Sequence, residues 1–240
     1  MNKAAKILTS LLILSVLMAC NKDDPSDPIK VPSDRYSDSE GRGVKTIFPN
    51  SEYANIITVD TVNPEGTIRA RSSTALGELV VIASGQEEEG HLNTPSTAGV
   101  EGDYTFQGNY KLINKINGKD QVVTELKELS FIQTSKESIS FEKVNFEEAD
   151  VYFLTPQYTG GHGLSAYAFV VNKDNGEAAP LKFVNHGATT DTLNYAMEHF
   201  PFNKNGYLIV TPGTSAGTSE AKAETVQYRL DVVNQYFIAD

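Results

Sequence analysis

Tyr104-Thr105-Phe106-Gln107-Gly108-Asn109-Tyr110-Lys111-Leu112 alternates large apolar side chains with polar ones, so Tyr104, Phe106, Tyr110 and Leu112 share one face of an extended chain. A period of two is the mark of a half-buried strand. The same alternation recurs at Ile139 and Phe141, set among Ser138, Ser140 and Glu142. Val151 to Leu154 and Tyr167 to Val171 are unbroken apolar runs, the pattern of strands covered on both faces. Between the second run and Leu181-Lys182-Phe183-Val184 stands Asn172-Lys173-Asp174-Asn175-Gly176, whose Asn-Gly end suits the left-handed backbone of a hairpin turn. Leu79 to Ile82 and Tyr207 to Val210 add two more short apolar segments. Many short strands separated by turn residues predict an all-β fold, a sandwich or a barrel.

One segment keeps another period. Leu193, Ala196, Met197 and Phe200 are spaced i, i+3, i+4, i+7, with Thr190 or Asp191 placed to cap and Pro201 to stop, which predicts one short helix over an end or edge of the sheets. The C-terminus supports two readings. Val226, Tyr228, Leu230 and Val232 alternate as a strand, while Ala223, Val226, Leu230, Val233 and Phe237 fit a helical stripe. Its Val, Thr and Tyr content favours a long closing strand. Ser84 to Asp103, with Gly85, Gly90, Pro95, Gly99 and Gly102 around Glu87-Glu88-Glu89, shows no period and is expected to be a long surface loop or a sub-boundary within the β domain.

Composition narrows the function classes. The 240 residues carry 20 basic and 31 acidic side chains, a net charge of −11, which argues against tracking nucleic-acid phosphates. The excess acid lies beyond Lys45, since the stretch before it is close to neutral. A single cysteine, Cys20, excludes an internal disulfide and a multi-cysteine zinc site.

That cysteine has a specific setting. Lys3 and Lys6 precede the apolar run Ile7 to Leu17, too short to span a bilayer comfortably, as in a secretory signal. The run ends in Leu17-Met18-Ala19-Cys20, which resembles the lipobox of bacterial lipoproteins; cleavage between Ala19 and Cys20 and a palmitate-bearing lipid on the sulfur are what the resemblance implies. The following Lys22, Asp23 and Asp24 resemble the export signal of Bacteroidetes-type surface lipoproteins, implying the outer face of the outer membrane. The expected organisation is a signal peptide at 1–19, a lipidated flexible spacer at 20–45, rich in Pro, Gly, Ser and charge, and a β-rich domain at 46–240.

Candidate chemistry is sparse. Gly213-Thr214-Ser215-Ala216-Gly217 fits a nucleophile elbow after a strand, but the acid and histidine that follow such a serine in hydrolases are missing, because the last histidine is His199. His162, in Gly160-Gly161-His162-Gly163, and His186, in Asn185-His186-Gly187, occupy loop-like settings and are candidates for contacting a ligand. No histidine pair has zinc-site spacing, and no metal or other cofactor is assigned. Glu87-Glu88-Glu89 with His91 lacks the alternating oxygens of a calcium loop and is expected to be a solvated loop. With 11 Tyr, 11 Phe and no Trp, any stacking on a sugar must use tyrosine, and Tyr158 in a glycine-rich loop is the candidate. Asp60-Thr61-Val62 and Asp191-Thr192-Leu193 resemble the O-glycosylation triplet of Bacteroidetes envelope proteins.

The expected function is therefore non-catalytic: a surface-exposed lipoprotein held by its lipid on the outer membrane, binding a nutrient such as a glycan or a surface partner, beside an outer-membrane transporter. Two other readings stand with it. An acylated all-β chain of this length, with the hairpin from Tyr167 to Val184, is similar to haem-binding lipoproteins of the HmuY type, which implies haem capture and carries over no residues. The other is an esterase-like hydrolase using Ser215.

Overall fold

The computed structural model describes residues 45–49, 51–214 and 224–240. These lie within one compact unit, and among them every regular element is a strand. The all-β expectation holds, with the sheets curled into a half-barrel and a nearly closed barrel.

The first sheet is built from four long rails. β1 (Ile57–Asn63) and β2 (Ile68–Ser73) run end to end against β4 (Glu87–Leu92) and β3 (Gly77–Ala83), so both rails kink together, near Pro64–Thr67 and Ser84–Gln86. β3 and β4 both pair with β5 (Tyr104–Ile116), which pairs along its length with β6 (Lys119–Gln133). The β5–β6 turn is Asn117-Gly118, both residues at positive φ (51° and 72°), a backbone whose twist suits a two-residue hairpin. Ser84 to Asp103 is thus corrected: Glu87–Leu92 is a paired strand, set between a bend at 84–86 and a loop at 93–103.

The second sheet runs in the order β13 (Phe202–Lys204), β14 (Tyr207–Val210), β15 (Val226–Asp231), β16 (Tyr236–Ala239), β10 (Ala178–Asn185), β9 (Leu164–Asn172), β8 (Ala149–Leu154), β7 (Glu142–Asn145). Its two ends meet where Asn203 Nδ2 donates to the Asn145 carbonyl at 2.7 Å, which brings the barrel near closure. β11 (Ala188–Thr190) pairs with β10, and β12 (Thr192–Tyr195) with β9.

The predicted helix at Leu193–Phe200 is absent. Leu193 and Tyr195 point inward as alternate residues of β12, Ala196 is bonded to Thr211, and a turn closed by His199 N–H on the Ala196 carbonyl supplies the rest of the spacing. The C-terminus is two strands, β15 and β16, joined by a turn at 232–235, so the strand reading holds but the single long strand does not.

β8 and β9 explain the continuous apolar runs. Val151, Phe153, Ala168 and Val170 face the barrel interior with Phe183, Leu208, Val210 and Phe237. Tyr152, Leu154, Phe169 and Val171 face the other way, against Phe106, Tyr110, Leu112 and Phe131 of the first sheet. One wall therefore serves two cores, which is why Val151 to Leu154 and Tyr167 to Val171 are apolar on both faces.

Glu87-Glu88-Glu89 is buried rather than solvated, because alternate strand residues meet different partners. Glu87, fully buried, accepts from Arg69 Nε at 2.7 Å and Nη2 at 2.5 Å, and from the Tyr110 hydroxyl at 2.7 Å. Glu88 points to the opposite face, where Thr46 Oγ1 and Ile47 N each donate to it at 2.6 Å and hold the segment before β1 against the sheet. Glu89 accepts from Asn63 Nδ2 at 2.9 Å and Lys136 Nζ at 2.5 Å. Desolvation pushes the Glu89 carboxyl up, but its bonds from Asn63 and Lys136 outweigh that and hold it below its ordinary 4.5. A carboxyl held low in the fold stabilises fully above its unfolded value, and the gain fades as pH falls through the folded one. Glu89→Gln is expected to flatten the acid side of the stability profile, read from urea unfolding between about pH 3 and 6. An unchanged slope there would contradict the assignment.

Candidate ligand pocket

The edge of β9 is shared by two strands in line. Its C-terminal half pairs with β10 (Ala178 to Leu181), and its N-terminal half pairs with β12 (Thr192 to Tyr195). Between these, β10 leaves β9 and continues beside β16 and β11. Peeling the β10–β11 hairpin away from β12 opens a pocket of about 350 Å3 at the barrel wall. That lies at the lower end of the range for small-molecule sites, which favour barrel mouths.

The pocket is lined by core and rim together. Phe183, Leu193, Val210 and Tyr228 are buried barrel residues at its floor, and the more open Ala188, Pro212 and Val226 supply its accessible apolar surface. Asn185, Thr190, Thr192 and Asn194 bring amides and hydroxyls, and no acidic, basic or histidine side chain lines it. Burial raises the Tyr228 phenol, and hydrogen bonding with the Asn185 side chain works against that rise. Asn194 Oδ1 accepts from Gly213 N at 3.0 Å, and Thr190 Oγ1 donates to the Thr192 carbonyl at 2.9 Å. The Asn194 amide is thus held in place through its oxygen while its two N–H donors stay available.

The sequence candidates divide around this pocket. His186 follows the lining residue Asn185, in a two-residue turn with Gly187 (φ 48° and 80°), and its backbone closes the β10–β11 hairpin. His162 Nδ1 lies 3.2 Å from the Thr214 carbonyl, and the His162 backbone packs against Gly213, which Asn194 holds. Both histidines therefore neighbour the pocket without lining it. Tyr158 stands in the loop after β8, 37% exposed, and its hydroxyl donates to Asp103 Oδ2 at 2.5 Å. That bond, ahead of desolvation, raises the Tyr158 phenol, so the hydroxyl is spent on Asp103 and the ring is what remains for a partner. Thr159 contacts the exposed Met197, and Thr97 packs close to Gly161, so the Tyr158–His162 loop is braced by two others.

Ser215, Cys20, Ala19, Lys22, Asp23 and Asp24 lie outside the described residues. The segment holding Ser215 joins β14 to β15, which are antiparallel neighbours. Among the described residues, no three His, Cys, Asp or Glu side chains gather where they could hold a metal ion. The lining residues Asn185 and Asn194 were not singled out by sequence reasoning. The one trace was the Thr192/Asn194 against Leu193/Tyr195 alternation, which the helical spacing of Leu193 and Ala196 masked. In comparisons with protein-family models, curated proteins and solved structures, nothing matched this chain.

Proposed function

We propose that this chain is a non-catalytic lipoprotein of the outer membrane, exposed at the cell surface, whose β domain binds a small ligand between the β10–β11 hairpin and β12. Its place is as an accessory in nutrient uptake, glycans foremost, or in a cell-surface interaction. The pocket carries the reading: it joins an apolar floor to amides and hydroxyls, and no carboxylate, imidazole, ammonium or thiol lines it to activate one of those hydroxyls. The lipobox-like Leu17 to Cys20 supports the location, since acyl chains anchor a protein without a membrane-spanning helix.

Two measurements test it. Cys20→Ser is expected to abolish incorporation of labelled palmitate and to move the protein out of the membrane fraction; a variant still labelled and membrane-bound overturns the anchor. For the pocket, residues 40–240 form the compact unit that holds both sheets and all three core clusters. Screened against neutral glycans, uronates, oleate and haem, this unit is expected to bind at least one neutral glycan without hydrolysing it. A Soret shift with haem alone would replace glycan binding by haem capture, and turnover of an ester probe would overturn the non-catalytic reading.

A further inference from the structure

We propose that the pocket takes the uncharged, hydroxylated end unit of its ligand, reading a hydroxyl through the Asn194 Nδ2 amide as donor and Asn185 Oδ1 as acceptor. The inference rests on the ligand-binding reading above and names the ligand class.

The argument starts from what each amide has left. Asn194 lines the pocket, and its Oδ1 already accepts the Gly213 N–H at 3.0 Å. Its remaining capacity is the pair of N–H donors on Nδ2. Asn185 also lines the pocket, beside Tyr228. The Asn185 side chain brings an amide oxygen, Oδ1, to that lining from β10, and this oxygen can accept a hydrogen bond. Donor and acceptor thus come from two strands, β12 and β10, on either side of the gap where the hairpin leaves β9. A hydroxyl both donates and accepts, so it satisfies the two together.

Competing ligand classes fit less well. A carboxylate or phosphate would enter a pocket with no cationic side chain in its lining, and moving an ion out of water without a partner is costly. Two cations adjoin lining residues in sequence: Lys182, before Phe183, is paired with Asp191 at 3.1 Å, and Arg229, after Tyr228, is exposed and outside the lining. A purely apolar ligand would cover Pro212 and Val226 but would offer nothing to the Asn194 Nδ2 donors or to Asn185 Oδ1. An uncharged sugar unit offers an apolar ring face for Pro212 and Val226, the partly exposed apolar lining residues, with hydroxyls at its edge. A volume of about 350 Å3 suits an end unit, not the passage of an internal stretch of chain.

The test uses residues 40–240, methyl glycosides of neutral hexoses, the matching uronates, and oleate, with affinities from calorimetry or ligand-observed NMR. Wild type is expected to bind one or more neutral glycosides and to bind their uronates at least tenfold more weakly. Asn194→Asp keeps an acceptor for Gly213 N–H but removes the donors, and is expected to weaken the neutral glycoside at least tenfold. Asn185→Ala removes the acceptor and is expected to weaken the neutral glycoside at least tenfold as well. Thermal melts within a few degrees of wild type establish that both variants fold. If Asn194→Asp binds like wild type, or if uronates or oleate bind best, the hydroxyl-reading proposal falls while ligand binding stands. If none of these probes nor haem binds, both fall.

Discussion

Arg69→Leu is expected to lower the unfolding free energy by about 3–5 kcal/mol, measured by urea denaturation at neutral pH. Glu87 is fully buried and Arg69 nearly so, and the guanidinium donates two bonds to the carboxylate while stacking 3.6 Å from the Phe106 ring centroid. Removing the cation strands a carboxylate in the core with only neutral partners, Tyr110 and Asn63. The cost comes from that stranded charge, not from the loss of an intrinsically strong pair, because desolvating both ions offsets most of their attraction. The double variant Arg69→Leu/Glu87→Leu is therefore expected to recover much of the loss. A single variant that costs less than about 1 kcal/mol would show that Glu87 finds water or a proton instead.

Phe237→Ala is expected to cost about 3–5 kcal/mol and to lower the melting temperature by about 10 °C. Phe237 is fully buried, stacks on Phe183 at 5.5 Å with an interplanar angle of 14°, and contacts Phe146 at 5.8 Å. The cavity it leaves would lie behind Phe183, which lines the pocket. Ligand affinity is expected to fall with stability, whereas Arg69→Leu, placed in the other sheet, is expected to spare it. A Phe237→Ala protein that melts like wild type would mean that Phe146 and Phe183 collapse into the space.

The β architecture was legible wherever period-two alternation was carried by apolar side chains, as at Tyr104 to Leu112. It was illegible where the same alternation was carried by charge. Glu87, Glu88 and Glu89 obey the strand rule, but their partners Arg69, Thr46 and Lys136 are distant in sequence, so nothing local marks the segment as buried. The false helix has a different cause. A strand residue, Leu193, followed by a turn can mimic i, i+3, i+4 spacing over a few residues, and the real strand Thr192–Tyr195 was too short to assert its own period. Of the site candidates, the histidines were drawn to the right neighbourhood by their glycine-rich loops. The lining amides escaped notice because their significance depends on where β10 leaves β9, a choice made by strand pairing.

The parallel pairing of β10 with β16 sets an order of events in folding. Lys182 to Val184 stand beside Tyr236 to Ile238, and that ladder is the strand pairing through which β13, β14 and β15 join the rest of their sheet. The first sheet draws its six strands from one stretch of chain, Ile57 to Gln133, and can assemble as that stretch leaves the ribosome or a translocation pore. The barrel cannot, because its closing contact spans a loop more than fifty residues long and must bear that loop's closure entropy before Phe237 returns any stabilisation. Until β16 emerges, the barrel-facing side of β8 and β9 is an uncovered apolar surface, the part of the chain most exposed to aggregation during synthesis.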